Sequence, residues 1–372
     1  MDDPFLTTQI LTYMGNKRKL LKSIEDVIII VKKELNTDKL NIGEGFSGSG
    51  VVSRLLKKHS SSLYVNDIAG YSETLNKCFL SSPDKNTLKN ICFYIKEGNN
   101  LLEDTNNNNF LIPWISKHWA PQNNNISIGE RTYYTCDNAK RIDILRNYIN
   151  TIPNDYKHFL LASLLVESSI HNNTNGQFAG YYKDENNIGA FGGKNKVDLQ
   201  RITKPIELKV PLFHLNNCNV SISRKDTNEW VTQIPELDLV YYDPPYNKHP
   251  YNIYYFLLDI INDWNLSIDI PDTYRGQPKN WIASEYNSSK NAKKAMDSLI
   301  SNTKSKYILL SYNDGGIIPI NELDSILEKY GTVYKIPVEH KTYNRLKGLS
   351  NYKRKNEYKG VKEFLWFIHK NN

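Results

Sequence analysis

Residues 39–58 read KLNIGEGFSGSGVVSRLLKK. Leu40 and Ile42 alternate with polar residues as a short strand does. Gly43, Gly45, Gly48 and Gly50 follow, and an apolar–basic pattern then reads as a helix. Glycines let the backbone turn sharply and approach a ligand closely, and a helix start offers free N–H groups. The next stretch, SSLYVND, reads as a strand ending on Asp67, and YSETLNKCFL reads as a helix. Strand and helix alternating in this way predict an α/β fold on a parallel sheet. Asp67 lies 19 residues beyond Gly48, an offset that suits a carboxylate gripping ribose hydroxyls. Dinucleotide enzymes and methyl-donor enzymes both use this geometry, and a tight turn without ligand has the same signature. No Gly-Lys-Ser/Thr follows, so a P-loop is excluded.

The same alternation frames the rest of the chain. Leu20–Leu35 reads as a helix. Strands are expected at Cys218–Ser223, Leu237–Tyr242 and Lys306–Tyr312, and then in TVYKIPVEH and EFLWFIH, a closing hairpin. The middle differs. EDTNNNNF and APQNNNISIGE are asparagine-rich loops. CDNAKRIDILRNYINTIP and DYKHFLLASLLVESSI read as two helices, with Asp137 or Asn138 capping the first and Asp155 the second. The stretch HNNTNGQFAGYYKDENNIGAFGGK (residues 171–194) reads as a long functional loop or a plain surface loop. The expected organisation is a catalytic domain from residues 1–94 and 212–372, interrupted by an inserted region at 95–211.

The stretch LDLVYYDPPYNKHP (residues 237–250) is a buried strand that stops on an acid and two prolines. In open α/β sheets the C-terminal strand ends form the ligand crevice. A carboxylate placed there can act on an exocyclic base amine, whose lone pair is delocalised into the ring. Asp243 and the carbonyl of Pro244 would accept its two hydrogens and favour a pyramidal nitrogen. Pro244 and Pro245 fix φ, which sets that carbonyl's direction in advance. Tyr246 would stack on a base held out of the helix. A lone Asp would read as a helix cap; Asp-Pro-Pro-Tyr after a buried strand reads as a site.

Three blocks then resemble one family. TYMGNKRKLL (residues 12–21), EGFSGSG (44–50) and YYDPPY (241–246) are similar to the motifs of the Dam-type (alpha-group) DNA adenine-N6 methyltransferases. The resemblance implies a Rossmann-like methyltransferase sheet, mostly parallel with a closing antiparallel hairpin, and an inserted target-recognition region. It implies S-adenosyl-L-methionine as cofactor, with Tyr13, Gly15 and Lys17 contacting it. Glu44, Phe46, Gly48 and Gly50 would shape its pocket. Asp67 would take the ribose and Ile68 would pack on the adenine. Lys17 also reads as an ordinary basic residue at a helix start, and Tyr13 as core. Asp226 is a lesser candidate for the pocket border. Gly45 departs from the family, which usually has proline there. That change is expected to alter turn rigidity rather than abolish binding.

Double-stranded DNA is the implied partner. Asn175, Gln177 and Phe178 are candidates for base reading or expulsion, because amides pair with adenine edges and aromatics wedge into stacks. Arg141 and Arg146 are placed to meet phosphate. Arg275, Lys279 and Trp281 follow the catalytic motif. The third surface is residues 341–362, where eight basic residues face one acid, Glu357; that surplus equals the chain's formal net charge of +7. Arg345, Lys347, Lys353, Arg354 and Lys355 belong to it, and suit a backbone clamp or a plain solvated loop.

Bulk properties narrow the classes. The 372 residues are 40% apolar and 23% charged, which reads as globular. The longest aliphatic run, VIIIV, is too short to span a bilayer, so neither a membrane nor a leader is expected. The four cysteines are widely spaced and form no CxxC pair, so no metal site is expected. A cytoplasmic monomer is the default, with room for a cognate restriction endonuclease as partner. An RNA base-amine methyltransferase, an inactive DNA-binding relative and a nicotinamide oxidoreductase are the competing readings.

Overall fold

The structure is a computed structural model that describes residues 3–8, 10–103, 110–123, 125–279, 281, 283–338 and 362–371. Strand β1 (Leu40–Glu44) runs into the glycine turn, and the helix Val51–His59 follows directly. Gly50 caps that helix in the left-handed region, at φ 73°, where a side chain would be strained and would meet Asn76. Strand β2 (Ser60–Asn66) and the helix Gly70–Phe79 complete the first unit.

The remaining strands are β3 (Asn219–Ser223), β4 (Leu237–Tyr242), β5 (Ser305–Asn313), β6 (Gly331–Val338) and β7 (Glu363–Lys370). They form one seven-stranded sheet in the order β3-β2-β1-β4-β5-β7-β6. The first five run parallel, while β7 is antiparallel to both β5 and β6. The fold is therefore the expected α/β sheet with an antiparallel hairpin at its end. Because β1 lies between β2 and β4, the winding reverses there, and such a reversal opens a crevice at the C-terminal strand ends.

Both faces of the sheet are apolar, as parallel strands require. One face packs Leu239, Tyr241 and Leu309 on the helices Leu21–Leu35 and Val51–His59. The other packs Val240, Tyr242 and Ile308 on helices that include Ala292–Asn302. A third core joins Tyr71, Leu75, Tyr255 and Phe256 to the helices Cys136–Thr151 and Asn154–Ile170. The inserted residues thus share a core with the helices that flank the crevice. The helix Lys85–Asn100 carries the chain unbroken across position 94.

The two inserted helices start differently from expectation. Thr135 caps the first, accepting the amide of Asn138 at 3.1 Å. Asn138 cannot cap because its own side chain is spent on Ile202, Lys204 and Ile206. Asp137 instead pairs with Arg141. The second helix opens at Asn154 after Pro153, with no side-chain cap, so Asp155 lies inside it.

Candidate active site

β4 delivers Asp243 to the crevice beside Glu44, the last residue of β1. A cavity of about 310 Å³ opens there. It is lined by Tyr13, Gly15, Lys17, Glu44, Phe46, Gly48, Asp67, Ile68, Asp243 and Pro245, together with Asp226. Residues from all three sequence blocks therefore meet in one place. Gly50 and Pro244 stand behind the lining, and so does Tyr246, whose ring lies 5.3 Å from Lys17 Nζ and edge-on to Tyr312.

The glycine turn is set by close approaches. Gly48 has φ 52°, and a Cβ there would come within 2.8 Å of the Tyr13 ring. The Gly48 amide donates to Asp67 Oδ2 at 2.7 Å, and the Ala69 amide donates to Asp67 Oδ1 at 2.9 Å. Burial pushes the Asp67 carboxyl up, against those amide bonds. Gly45 has an ordinary φ, but its amide donates to Tyr241 O at 3.1 Å, and a Cβ would fall 2.7 Å from both Tyr242 and Thr227. Proline has neither that N–H nor that room, which accounts for the departure from the family pattern.

Lys17 is 2% exposed and is not an ordinary helix-start residue. Its Nζ lies 3.2 Å from Asp243 Oδ1 and 3.1 Å from Glu363 Oε1. Burial works against its charge, but the fields of Asp243, Tyr246 and Glu363 hold its pKa well above the usual lysine value. The Asp243 side chain keeps 19% exposure toward the cavity. Burial pushes its carboxyl up to about 6, with Lys17 opposing and Glu363 adding. Asp243 Oδ1 is itself buried against the Lys17 ammonium, so the exposed part of the side chain lies away from that ion pair. Glu44 is buried and accepts from Ser53 Oγ. Burial pushes it up to about 8 despite that bond, with Asp67 and Asp243 adding.

Sequence reading missed the opposite wall. Tyr251, Asp259 and Asp263 line the cavity from the helix Asn252–Asp263 and the residue before it. Tyr255, from the same face, stacks on Tyr13 at 4.7 Å and donates nothing to the cavity; its hydroxyl takes the Met14 amide at 2.7 Å. These four residues recur every fourth position, a helical spacing that marks one face. Asp259 takes the Tyr71 amide, and burial pushes its carboxyl up to about 7, with Asp263 adding. Arg224 grips Asp263 with two bonds of 2.8 and 2.9 Å.

The expected DNA contacts fare unevenly. Phe178 is 1% exposed and packs against Tyr133, Tyr134 and Phe256, so it is a core residue rather than a wedge. Its amide donates to Tyr254 O and its carbonyl accepts from Tyr133 Oη, which locks it inward. Gln177 is buried beside it, whereas Asn175 is half-exposed. This loop is not free: Arg201 donates to the carbonyls of Asn172 and Thr174. Arg146 is also buried, donating to the carbonyls of Ile261 and Asn262, so it meets no phosphate. Arg141 is tied to Asp137. Arg275 is half-buried and Lys279 exposed, next to Gln277, Pro278 and Trp281 on the cavity rim. Arg345, Lys347, Lys353, Arg354 and Lys355 lie outside the described residues. No helix among the described residues is long and apolar enough to cross a membrane.

The chain is similar in sequence to known proteins. The chain is 27% identical to the type II methyltransferase M.NlaIII of Neisseria lactamica over 371 residues, covering 97% of this chain and 99% of that one. It is 23% identical to the type II methyltransferase M.CviAII of Paramecium bursaria Chlorella virus 1, covering 96% and 98%. It is 28% identical to the type II methyltransferase M.FokI of Planomicrobium okeanokoites, but spans only 52% of that protein's length. Residues 13–326 match the family described as D12 class N6 adenine-specific DNA methyltransferase. That span holds the glycine turn, the inserted region and the Asp-Pro-Pro-Tyr corner, and the chain belongs to this family of adenine-modifying DNA methyltransferases.

Proposed function

We propose that the methyl donor is S-adenosylmethionine, and that the target adenine is turned out of duplex DNA into the cavity at Asp243. The meeting of Asp243 with the glycine turn and the N-terminal block in one cavity carries this reading, because a strand-end carboxylate used as a cap would face a helix start rather than a cavity. The cavity, at about 310 Å³, lies at the small end of the range for ligand sites. Its carboxylates Asp67, Asp226, Asp243 and Asp263 outnumber Lys17 and Arg224, a field that suits a cation. Tyr13, Gly15, Lys17, Glu44, Phe46, Gly48, Gly50, Asp67 and Ile68 would hold the donor, with Phe46 beneath its methionine part. When bound, it supplies an electrophilic sulfonium methyl.

The chain's own residues do the rest. Asp243 is ionised at neutral pH, since its carboxyl titrates near 6. With the Pro244 carbonyl it accepts the two amine hydrogens and frees the nitrogen lone pair for attack. Developing positive charge on the nitrogen is then met by a fixed carboxylate rather than by reorienting water. Tyr246, just behind the cavity wall, would be the ring that stacks on the base. Residues 95–211 serve as the recognition region on the remainder, 1–94 and 212–372. Lys279, Arg275 and Asn175 are the described residues that meet DNA. The enzyme acts inside the cell as a monomer, beside a cognate restriction endonuclease.

Sequencing DNA from expressing cells with modification detection tests this. The expected result is N6-methyladenine at one short recurring motif. Unmodified DNA, or modified RNA alone, would contradict it. Calorimetry adds the donor: S-adenosylmethionine binds and NAD does not.

A further inference from the structure

Arg224 follows directly on β3 and lines the cavity. β2 and β1 separate β3 from β4, so this wall stands three strand spacings, about 14 Å, from the strand that delivers Asp243. The Arg224 side chain is 38% exposed, but the edges of its guanidinium are engaged. Nη1 and Nη2 donate to the two oxygens of Asp263 at 2.8 and 2.9 Å, and Nε donates to Ile68 O at 3.4 Å. The guanidinium also lies on Gly70, where a Cβ would fall 2.7 Å from Arg224 Cζ and 2.8 Å from Asn262 Nδ2. Gly70 has an ordinary φ, so room for Arg224, and not backbone conformation, calls for glycine there.

We propose that Arg224 is a binding residue for the methyl donor: its guanidinium, laid on Gly70 and held by Asp263, is the platform on which the donor's adenine ring stacks. The inference deepens the proposed function and rests on it. Asp67, the acid that would take the ribose, is followed at once by Ile68, whose carbonyl receives Arg224 Nε. A purine joined to that ribose comes to the Ile68–Arg224 end of the cavity, and the methionine part extends toward Lys17 and Asp243. A guanidinium is planar and weakly hydrated, so it stacks on an aromatic face while its edges keep their hydrogen bonds. With one face on Gly70 and three donors spent, the other face is what Arg224 offers a ligand. An ion pair between partners as exposed as these, each 38%, contributes little to stability by itself. The glycine cradle and the two-bond grip serve instead to fix the plane of the ring's support.

The test is calorimetric titration with S-adenosylmethionine, and separately with adenosine, which carries the ring and ribose alone. Wild type is compared with Arg224→Lys, which keeps a charge for Asp263 but has no plane, and with Arg224→Ala, which keeps neither. Both variants should bind S-adenosylmethionine about tenfold more weakly, and adenosine should weaken by the same factor. Thermal melts separate these effects from lost folding, and Arg224→Lys, which retains the ion pair, keeps the test open if Arg224→Ala does not fold. Wild-type donor affinity in folded Arg224→Lys would overturn the proposal, since a side chain that only braces the wall is replaced by lysine. Weakened S-adenosylmethionine with unchanged adenosine would also overturn it, because the loss would then lie outside the ring. A wild-type protein that binds neither compound would overturn the reading of the donor itself, and this proposal with it.

Discussion

Lys17 Nζ stands 3.2 Å from Asp243 Oδ1, so the N-terminal block and the Asp-Pro-Pro-Tyr corner meet in one buried ion pair. Removing one partner of such a pair leaves an uncompensated charge. Lys17→Met should cost about 3–5 kcal/mol in denaturant melts at neutral pH. It should also shift the acid limb of activity to higher pH, because Lys17 is what holds the Asp243 carboxyl down. An unchanged melt and pH profile would mean that the pair does not form.

Glu44 makes stability depend on pH with an unusual sign. Its folded pKa, about 8, lies above its ordinary value of 4.5, so the native state binds this proton more tightly than the unfolded chain does. The contribution is present in full below about 4.5 and is lost as pH rises through 8. Glu44→Gln keeps a partner for Ser53 and removes the charge. It should match wild type near pH 5 and exceed it by a few kcal/mol near pH 9, read by denaturant titration. Equal stability at both ends would contradict the burial of a titrating Glu44.

Gly45→Pro restores the family's usual residue and should nonetheless harm this protein. It removes the amide that meets Tyr241 O and drives ring atoms into Tyr242 and Thr227. Loss of about 2–4 kcal/mol is expected from the orphaned carbonyl and the overpacking. Differential scanning calorimetry reads it as a lower Tm. A stabilised variant would show that the turn relaxes to accept proline.

The two arginine and lysine surfaces separate cleanly. Arg146 donates to Ile261 O and Asn262 O and stacks on Trp264, so Arg146→Ala should lower stability by about 3 kcal/mol and leave the salt dependence of DNA binding unchanged in a properly folded fraction. Lys279 is exposed on the cavity rim, so Lys279→Ala should leave the melt unchanged and reduce the salt slope of duplex binding by about one unit. Fluorescence anisotropy across a salt series makes the comparison.

What the sequence made legible was local. The glycine turn, the strand into Asp243 and the strand–helix alternation are short-range patterns, and chain geometry alone carried them to one cavity. β7 is also readable as a strand from its continuous apolar run, Phe364 to Ile368. What it delivers is not, because Glu363 reaches Lys17 across 346 positions of chain. The loop from residue 171 misled for a physical reason. Asparagine and glycine signal irregular backbone, but say nothing about burial, and here Arg201 and Tyr133 satisfy that backbone from within. Phe178 and Arg146 were read by residue type, an aromatic as a wedge and a cation as a phosphate contact. The third core took both. Only the four-residue spacing of Tyr251, Tyr255, Asp259 and Asp263 was there to be seen and passed over.

The central claim is that Asp243 accepts the amine whose nitrogen receives the methyl group. Labelled methyl donor, an adenine-containing duplex and the Asp243→Ala variant test it most directly, with the product hydrolysed to free bases. Wild type should place the label on N6 of adenine. Asp243→Ala should bind the same duplex with similar affinity and transfer label at least about a hundredfold more slowly. Full activity in folded Asp243→Ala, or wild-type label on RNA alone, would contradict the account.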